Sequence, residues 1–122
     1  MRKHAFFILL EEEEKMKVSR SFETFMKEAP EQHKAWMELA QRLDKASALD
    51  KKTEELAYIA VLAALRLESG IPFHVQMAKA GGATRDEVIS AVLVGLPAAG
   101  SAVTQSLPAA LEAYDDGQTC RP

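Results

Sequence analysis

Hydrophobic positions recur at helical intervals along most of the chain, and no segment alternates apolar and polar residues at a period of two. The first helical pattern runs over residues 5–27, where we interpret Glu11–Glu14 as a solvated face. Its first residues could equally form an arm that packs on a neighbouring subunit. Ala29-Pro30 predicts a break, because the residue before proline avoids helical angles. A second helix follows over about 31–45, with His33 on its charged, exposed side.

The longest apolar segment lies in the middle of the chain. Asp50 is a suitable N-cap, and Gly70 tolerates the left-handed angles of a C-cap, so we predict a helix over 51–69. Almost every residue from Leu56 to Leu67 is apolar, and a helix that is apolar on every side is expected to be buried on every side. So short a chain cannot easily bury such a helix alone. We therefore expect a homo-oligomer.

The remaining patterns are also helical. Pro72 opens a short helix that ends at about Ala80, before two glycines. Thr84 and Glu87 have the spacing of a capping box and begin a helix that continues to Leu96. A last helix is expected over 98–114, with Pro108 as the place where it could bend. The predicted fold is all-α, with about six helices.

Composition narrows the class of protein. A chain of 122 residues suits one domain, with N-terminal helices over 5–45, a core over 49–114 and a frayed tail over 115–122. The interleaved charges, with a net charge of −3, favour neither nucleic acid nor anionic lipid. The apolar segment 5–10 is too short for a signal peptide or a membrane span. We therefore predict a cytoplasmic protein. The single Cys120 allows no internal disulfide and no thiol pair.

Three polar residues stand within the apolar core segment, namely Glu55, Arg66 and His74. Glu55 and Arg66 share one helical stripe but lie about 16 Å apart at ~1.5 Å per residue, so each could simply be a charge at a helix end. His74 could act as a general acid or base, because imidazole titrates near neutral pH. The alternative is a structural histidine in the core. No spacing of histidines and carboxylates suggests a metal site.

A longer pattern combines these residues with the later helices. It comprises Glu55-Leu56, His74-x-x-x-Ala78, Gly82-Ala83-Thr84-x-x-Glu87-Val88 and Gly95-x-Pro97-Ala98-Ala99. Over about residues 49–114 the chain thus resembles the carboxymuconolactone decarboxylase family, which shares its all-α fold with the alkylhydroperoxidase D proteins. The resemblance implies a trimeric or hexameric assembly. It also aligns His74 with the family histidine and Glu55 with an upstream glutamate.

The peroxidase branch of this fold carries a Cys-x-x-Cys pair seven and four residues before the histidine. Leu67 and Gly70 occupy those positions here, so no dithiol peroxidase activity is expected. The resemblance instead implies a cofactor-free lyase acting on a small lactone or carboxylate. In that role His74 transfers a proton, Glu55 orients or polarises it, and Arg66 binds a substrate carboxylate.

Two points stay open at this level. The alternative function is a non-catalytic family member that serves as an oligomeric binding or structural module. In addition, a tight hairpin between helices 51–69 and 72–80 would place His74 opposite Arg66, and more than about 10 Å from Glu55 at ~1.5 Å per helical residue. Glu55 would then reach His74 only through a looser connection or from another subunit.

Overall fold

The computed structural model describes residues 18–119, and every regular element in this range is helical, which confirms the all-α prediction. The predicted helical pattern over 5–17 and Cys120 lie outside the described residues. No helix within the described range is both long and apolar enough to cross a membrane. The helices are α1 (Arg20–Glu28), α2 (Pro30–Ala46), α3 (Lys51–Ala64), α4 (Ile71–Ala80), α5 (Arg85–Leu93), α6 (Leu96–Ala99) and α7 (Leu107–Thr119), with 3-10 turns at Glu68–Gly70 and Ser101–Ser106.

These elements divide into two compact units, residues 1–48 and residues 49–122. The division falls at the predicted boundary between the N-terminal helices and the core. That the two units form one domain stays a prediction.

The first unit contains α1 and α2. Ser19 caps α1 by accepting a hydrogen bond from the Phe22 N–H at 3.1 Å, and α2 begins at Pro30 as predicted. The prediction that His33 is exposed is wrong, since only 8% of this residue is accessible. The edges of Phe22 and Phe25 pack against its ring, with centroids 5.2 and 5.3 Å away. His33 is buried because α1 folds back along the face of α2 that carries it.

The second unit is built around α3, which packs against α4, α5 and the turn at 101–106, while α7 packs on α4 and α5. These elements enclose a core of small and branched apolar side chains, including Ile59, Leu62, Ile71, Val75, Val88, Val92 and Val103. One face of α3 stays uncovered in the single chain, where Tyr58, Val61 and Leu65 are 44, 54 and 61% exposed. Within one chain, the expectation that this helix is buried on every side is therefore wrong.

Two of the predicted helix starts are confirmed. Asp50 accepts a hydrogen bond from the Thr53 N–H at 2.8 Å and begins α3. At the start of α5, Thr84 accepts from the Glu87 N–H and the Glu87 carboxylate accepts from the Thr84 N–H, which completes the capping box. Glu87 also binds the Lys52 ammonium at 3.1 Å. This contact joins the beginnings of α3 and α5.

The end of the chain differs from the predicted single helix over 98–114. Gly100 has φ 86° and ψ −177°, which an L side chain rarely adopts, so α6 ends there and a 3-10 turn follows. Pro108 lies in the first turn of α7 and not at a bend. This helix continues past Tyr114, whose hydroxyl donates to the Ala83 carbonyl at 2.9 Å. The frayed tail expected from residue 115 is therefore helical as far as Thr119.

Candidate active site

Two helices of the second unit bring Glu55 and His74 together. Glu55 lies in the second turn of α3, on the same buried stripe as Ile59 and Leu62, because residues three or four apart share a helix face. His74 lies in the first turn of α4, which packs on this stripe. The His74 Nδ1 atom is 2.9 Å from the Glu55 Oε1 atom, although the two residues are 19 positions apart. Both belong to one chain.

The connection between α3 and α4 makes this contact possible. Helix α3 ends at Ala64 and not at Gly70 as predicted. The Leu67 N–H donates to the Leu62 carbonyl at 2.9 Å and the Arg66 N–H to the Ala63 carbonyl at 3.2 Å, which is the pattern of a Schellman motif. Arg66, with φ 62°, takes the left-handed position that glycine usually fills.

This turn sends the chain back along α3 before α4 begins. By Gly70 the chain lies beside Leu62, since a Cβ atom on this glycine would be 3.5 Å from the Leu62 methyl groups. The first turn of α4 then covers the remaining distance to Glu55. The tight hairpin that would have placed His74 opposite Arg66 is therefore not formed.

Glu55 is a buried carboxylate with two cationic or polar partners. Burial, the largest single influence, raises the pKa of Glu55, but the hydrogen bonds and charges of His74 and Lys51 together outweigh it and hold the pKa below its ordinary value of 4.5. The Lys51 Nζ atom is 2.9 Å from Oε2, while His74 binds Oε1. Glu55 is therefore ionised at neutral pH.

An ionised carboxylate only accepts hydrogen bonds, so the proton between Glu55 and His74 belongs to Nδ1 of the imidazole. In the neutral ring, Nε2 then carries a lone pair. No hydrogen bond from a described residue reaches Nε2, and 22% of the His74 side chain is exposed. The pair thus presents a base whose ring is oriented by the carboxylate behind it.

Two aromatic rings fix the plane of His74. Tyr58 stacks on the imidazole with centroids 4.1 Å apart and an interplanar angle of 14°, and Phe73 meets it edge-on at 5.1 Å. Sequence reasoning missed both Tyr58 and Lys51. Their spacing from Glu55, three residues after and four residues before, could have revealed them, because these offsets place side chains on one face of a helix.

Arg66 lies away from this pair, just beyond the C-terminal end of α3. Its guanidinium donates to the Gln105 side chain at 2.7 Å and to the Glu68 carboxylate at 3.3 Å. It contacts neither Glu55 nor His74 through these bonds. Binding of a substrate carboxylate by Arg66 stays a prediction, and such a ligand would meet a side chain that already has two partners.

A family model for the carboxymuconolactone decarboxylase family matches residues 30–113, and thus reaches back into α2 beyond the predicted start at 49. The chain belongs to this family. The solved structure of apo-lpg0406, a carboxymuconolactone decarboxylase family protein from Legionella pneumophila, is 33% identical to it. That likeness covers 79% of this chain and 86% of the other, with a TM-score of 0.67. No curated protein matches the chain significantly.

Within the carboxymuconolactone decarboxylase family fold, the turn after α3 is where the peroxidase branch would carry its cysteines. Leu67 stands there, 49% exposed, and Gly70 ends the following 3-10 turn. Neither supplies a thiolate, so dithiol chemistry is not available at this position. Among residues 18–119, no three histidine, cysteine or acidic side chains converge in a way that could hold a metal ion.

The ionised state of Glu55 leads to a prediction about acid stability. Because its pKa is lowered by folding, its contribution is complete above the ordinary value of 4.5 and is lost as pH falls through the lower, folded pKa. We expect Glu55→Gln to lower the free energy of unfolding near neutral pH by about 1 to 3 kcal/mol, the range for hydrogen bonds to charged groups. This difference should shrink as the pH is lowered below 4.5, in urea unfolding curves recorded at a series of pH values.

Glu54→Gln, at the neighbouring half-buried position, is the matched control for loss of one carboxylate from the same helix. A difference between wild type and Glu55→Gln that stays constant through the acid range would contradict the ionised assignment.

Proposed function

We propose that this family member is a cofactor-free lyase-like enzyme that acts on a small lactone or carboxylate through proton transfer by His74. The observation that carries the proposal is the 2.9 Å contact between Nδ1 of His74 and the buried, ionised Glu55. It leaves Nε2 as a lone-pair base on a partly exposed ring. A group of this kind, held in place and titrating near neutral pH, suits general acid–base catalysis.

The proposed cycle needs only residues of this chain. Nε2 of His74 binds a proton, and the resulting imidazolium is stabilised by the negative charge of Glu55 through Nδ1–H. When the substrate's C–C bond to its carboxylate breaks, the electron pair passes into the conjugated carbonyl and CO₂ leaves. The imidazolium then delivers its proton to the substrate carbon and returns to the neutral base.

Activity can be tested without knowing the natural substrate. Unsaturated γ-lactones that carry a carboxylate would be incubated with the protein in D₂O. Release of CO₂ and incorporation of deuterium on carbon would be followed by NMR. We expect His74→Gln to lower both rates by about 100-fold or more, within the range for loss of general acid–base catalysis.

Glu55→Gln should give an intermediate rate, because its amide oxygen still accepts from Nδ1–H but cannot balance the charge of an imidazolium. Lys52→Met is the matched control, since Lys52 lies on the same helix and binds Glu87 instead of Glu55. Turnover that is unchanged in a folded His74→Gln variant would contradict the proposed role. Absence of both reactions in the wild type, across the panel, would favour the non-catalytic binding or structural module.

We also propose that the protein assembles as a homo-oligomer, a trimer or hexamer as the family resemblance implies, through the uncovered face of α3. Exposed residues of this face are apolar throughout, namely Ala57, Tyr58, Val61, Ala64 and Leu65. A continuous apolar helix face exposed to water typically marks a protein–protein contact. Cytoplasmic location stays a prediction.

A charge placed in the middle of this face should prevent assembly. We expect Val61→Glu to lower the molar mass in sedimentation velocity from that of the oligomer to that of one chain, because it buries an unpaired carboxylate in the contact. Ser90→Glu, which adds the same charge at an exposed position of α5, should leave the mass unchanged. A wild-type protein that is a folded monomer at micromolar concentration would refute the assembly itself.

A further inference from the structure

Lys51 gives the Glu55 carboxylate a second partner on the side away from His74. The lysine is the first residue of α3, one turn before the glutamate, and its Nζ atom lies 2.9 Å from Oε2. His74 binds the other oxygen, Oε1, at the same distance of 2.9 Å. The carboxylate thus bridges an ammonium group that is 45% exposed and an imidazole that is 22% exposed.

Helix stability does not explain a lysine at this position. A cation in the first turn opposes the helix dipole, which favours anions there. The order Lys before Glu at a spacing of four is also the weaker orientation of such a pair. The bond to a buried, functional carboxylate is the interaction that Lys51 gains in this place.

We propose that Lys51 is a positioning residue for the acid–base pair: it fixes the Glu55 carboxylate and offsets part of its charge, so that His74 is a neutral base near neutral pH. The catalytic meaning of this inference rests on the proposed function. Without the ammonium group, the full charge of Glu55 would act on the imidazole and favour its protonated form. A permanently protonated imidazole could not accept a proton from a substrate.

The other ionisable groups around this pair have separate partners. On α3, Lys52 binds Glu87 of α5, and Tyr58 contributes its ring to the stack on His74. From α7, Tyr114 accepts from Lys79 of α4 through its carbonyl, and Asp115 binds Arg85 of α5. Of these described charges, Lys51 is the one that contacts the Glu55 carboxylate along with His74.

The test is an NMR titration of the His74 ring resonances, assigned by their loss in His74→Gln. We expect Lys51→Met to raise the midpoint of the His74 titration by about 0.5 to 1 pH unit, because removal of a nearby positive charge favours the imidazolium. Lys51→Arg keeps the charge and should restore the wild-type midpoint. Lys52→Met, the adjacent lysine with a different partner, should also leave it unchanged.

A second pair of variants tests whether the effect passes through Glu55. In the Glu55→Gln background the carboxylate that links the two residues is absent, so adding Lys51→Met should produce a clearly smaller shift than it does in the wild type. A shift of equal size in both backgrounds would overturn the positioning role, since the lysine would then act directly on the imidazole. Equal midpoints for Lys51→Met and Lys52→Met would overturn the inference altogether.

The titration does not depend on turnover, so the two proposals can fail separately. If turnover is found, the acid limb of its pH profile should move with the His74 midpoint in Lys51→Met. A limb that stays fixed while the midpoint moves would overturn the catalytic meaning of the shift. A shifted midpoint in a protein that shows no turnover would support the role of Lys51 and count against the proposed lyase function alone.

Discussion

The structure of the second unit depends on one buried negative charge. A carboxylate taken out of water is costly unless hydrogen bonds and opposite charges replace its hydration, and removing one partner of such a group is more costly still. Glu55 meets this requirement with one partner on each oxygen, at 2.9 Å in both cases. The same bonds fix the proton on Nδ1 of His74 and leave Nε2 available. The condition that makes the charge tolerable is thus also the one that makes the histidine a base.

This pairing places a demand on the backbone between the two helices. The imidazole and the carboxylate meet only because the chain returns along α3 before α4 begins, and the return is set by Arg66 in a left-handed conformation with φ 62°. A residue with a side chain pays about 1 to 3 kcal/mol for such a conformation. Its hydrogen bonds to Gln105 and Glu68 accompany the turn. The described contacts of Arg66 therefore concern the path of the chain, at the far end of α3 from the acid–base pair.

Local signals allowed part of this to be predicted from the sequence. The caps at Asp50 and Thr84 were recognisable because one side chain satisfies a backbone group a few residues away. The length of α3 was overestimated because Gly70 looked like its C-cap, whereas Arg66 adopted that conformation. The burial of His33 could not be read from its polar neighbours, since it depends on how α1 folds onto α2. The Glu55–His74 contact likewise required the path of the connection, although the family resemblance had already named both residues.

The central claim is that a neutral His74 carries its proton on Nδ1, held by Glu55. Two-bond ¹H–¹⁵N correlation spectra of the imidazole, recorded at a pH above the range in which histidine titrates, test it directly. The account predicts that the resonance of Nδ1 has the chemical shift of a protonated ring nitrogen and that of Nε2 has the shift of an unprotonated one, with the distinction weakened in Glu55→Gln. A His74 ring protonated on Nε2 at that pH would contradict the account, because the lone pair would then face the carboxylate and no base would be presented to a substrate.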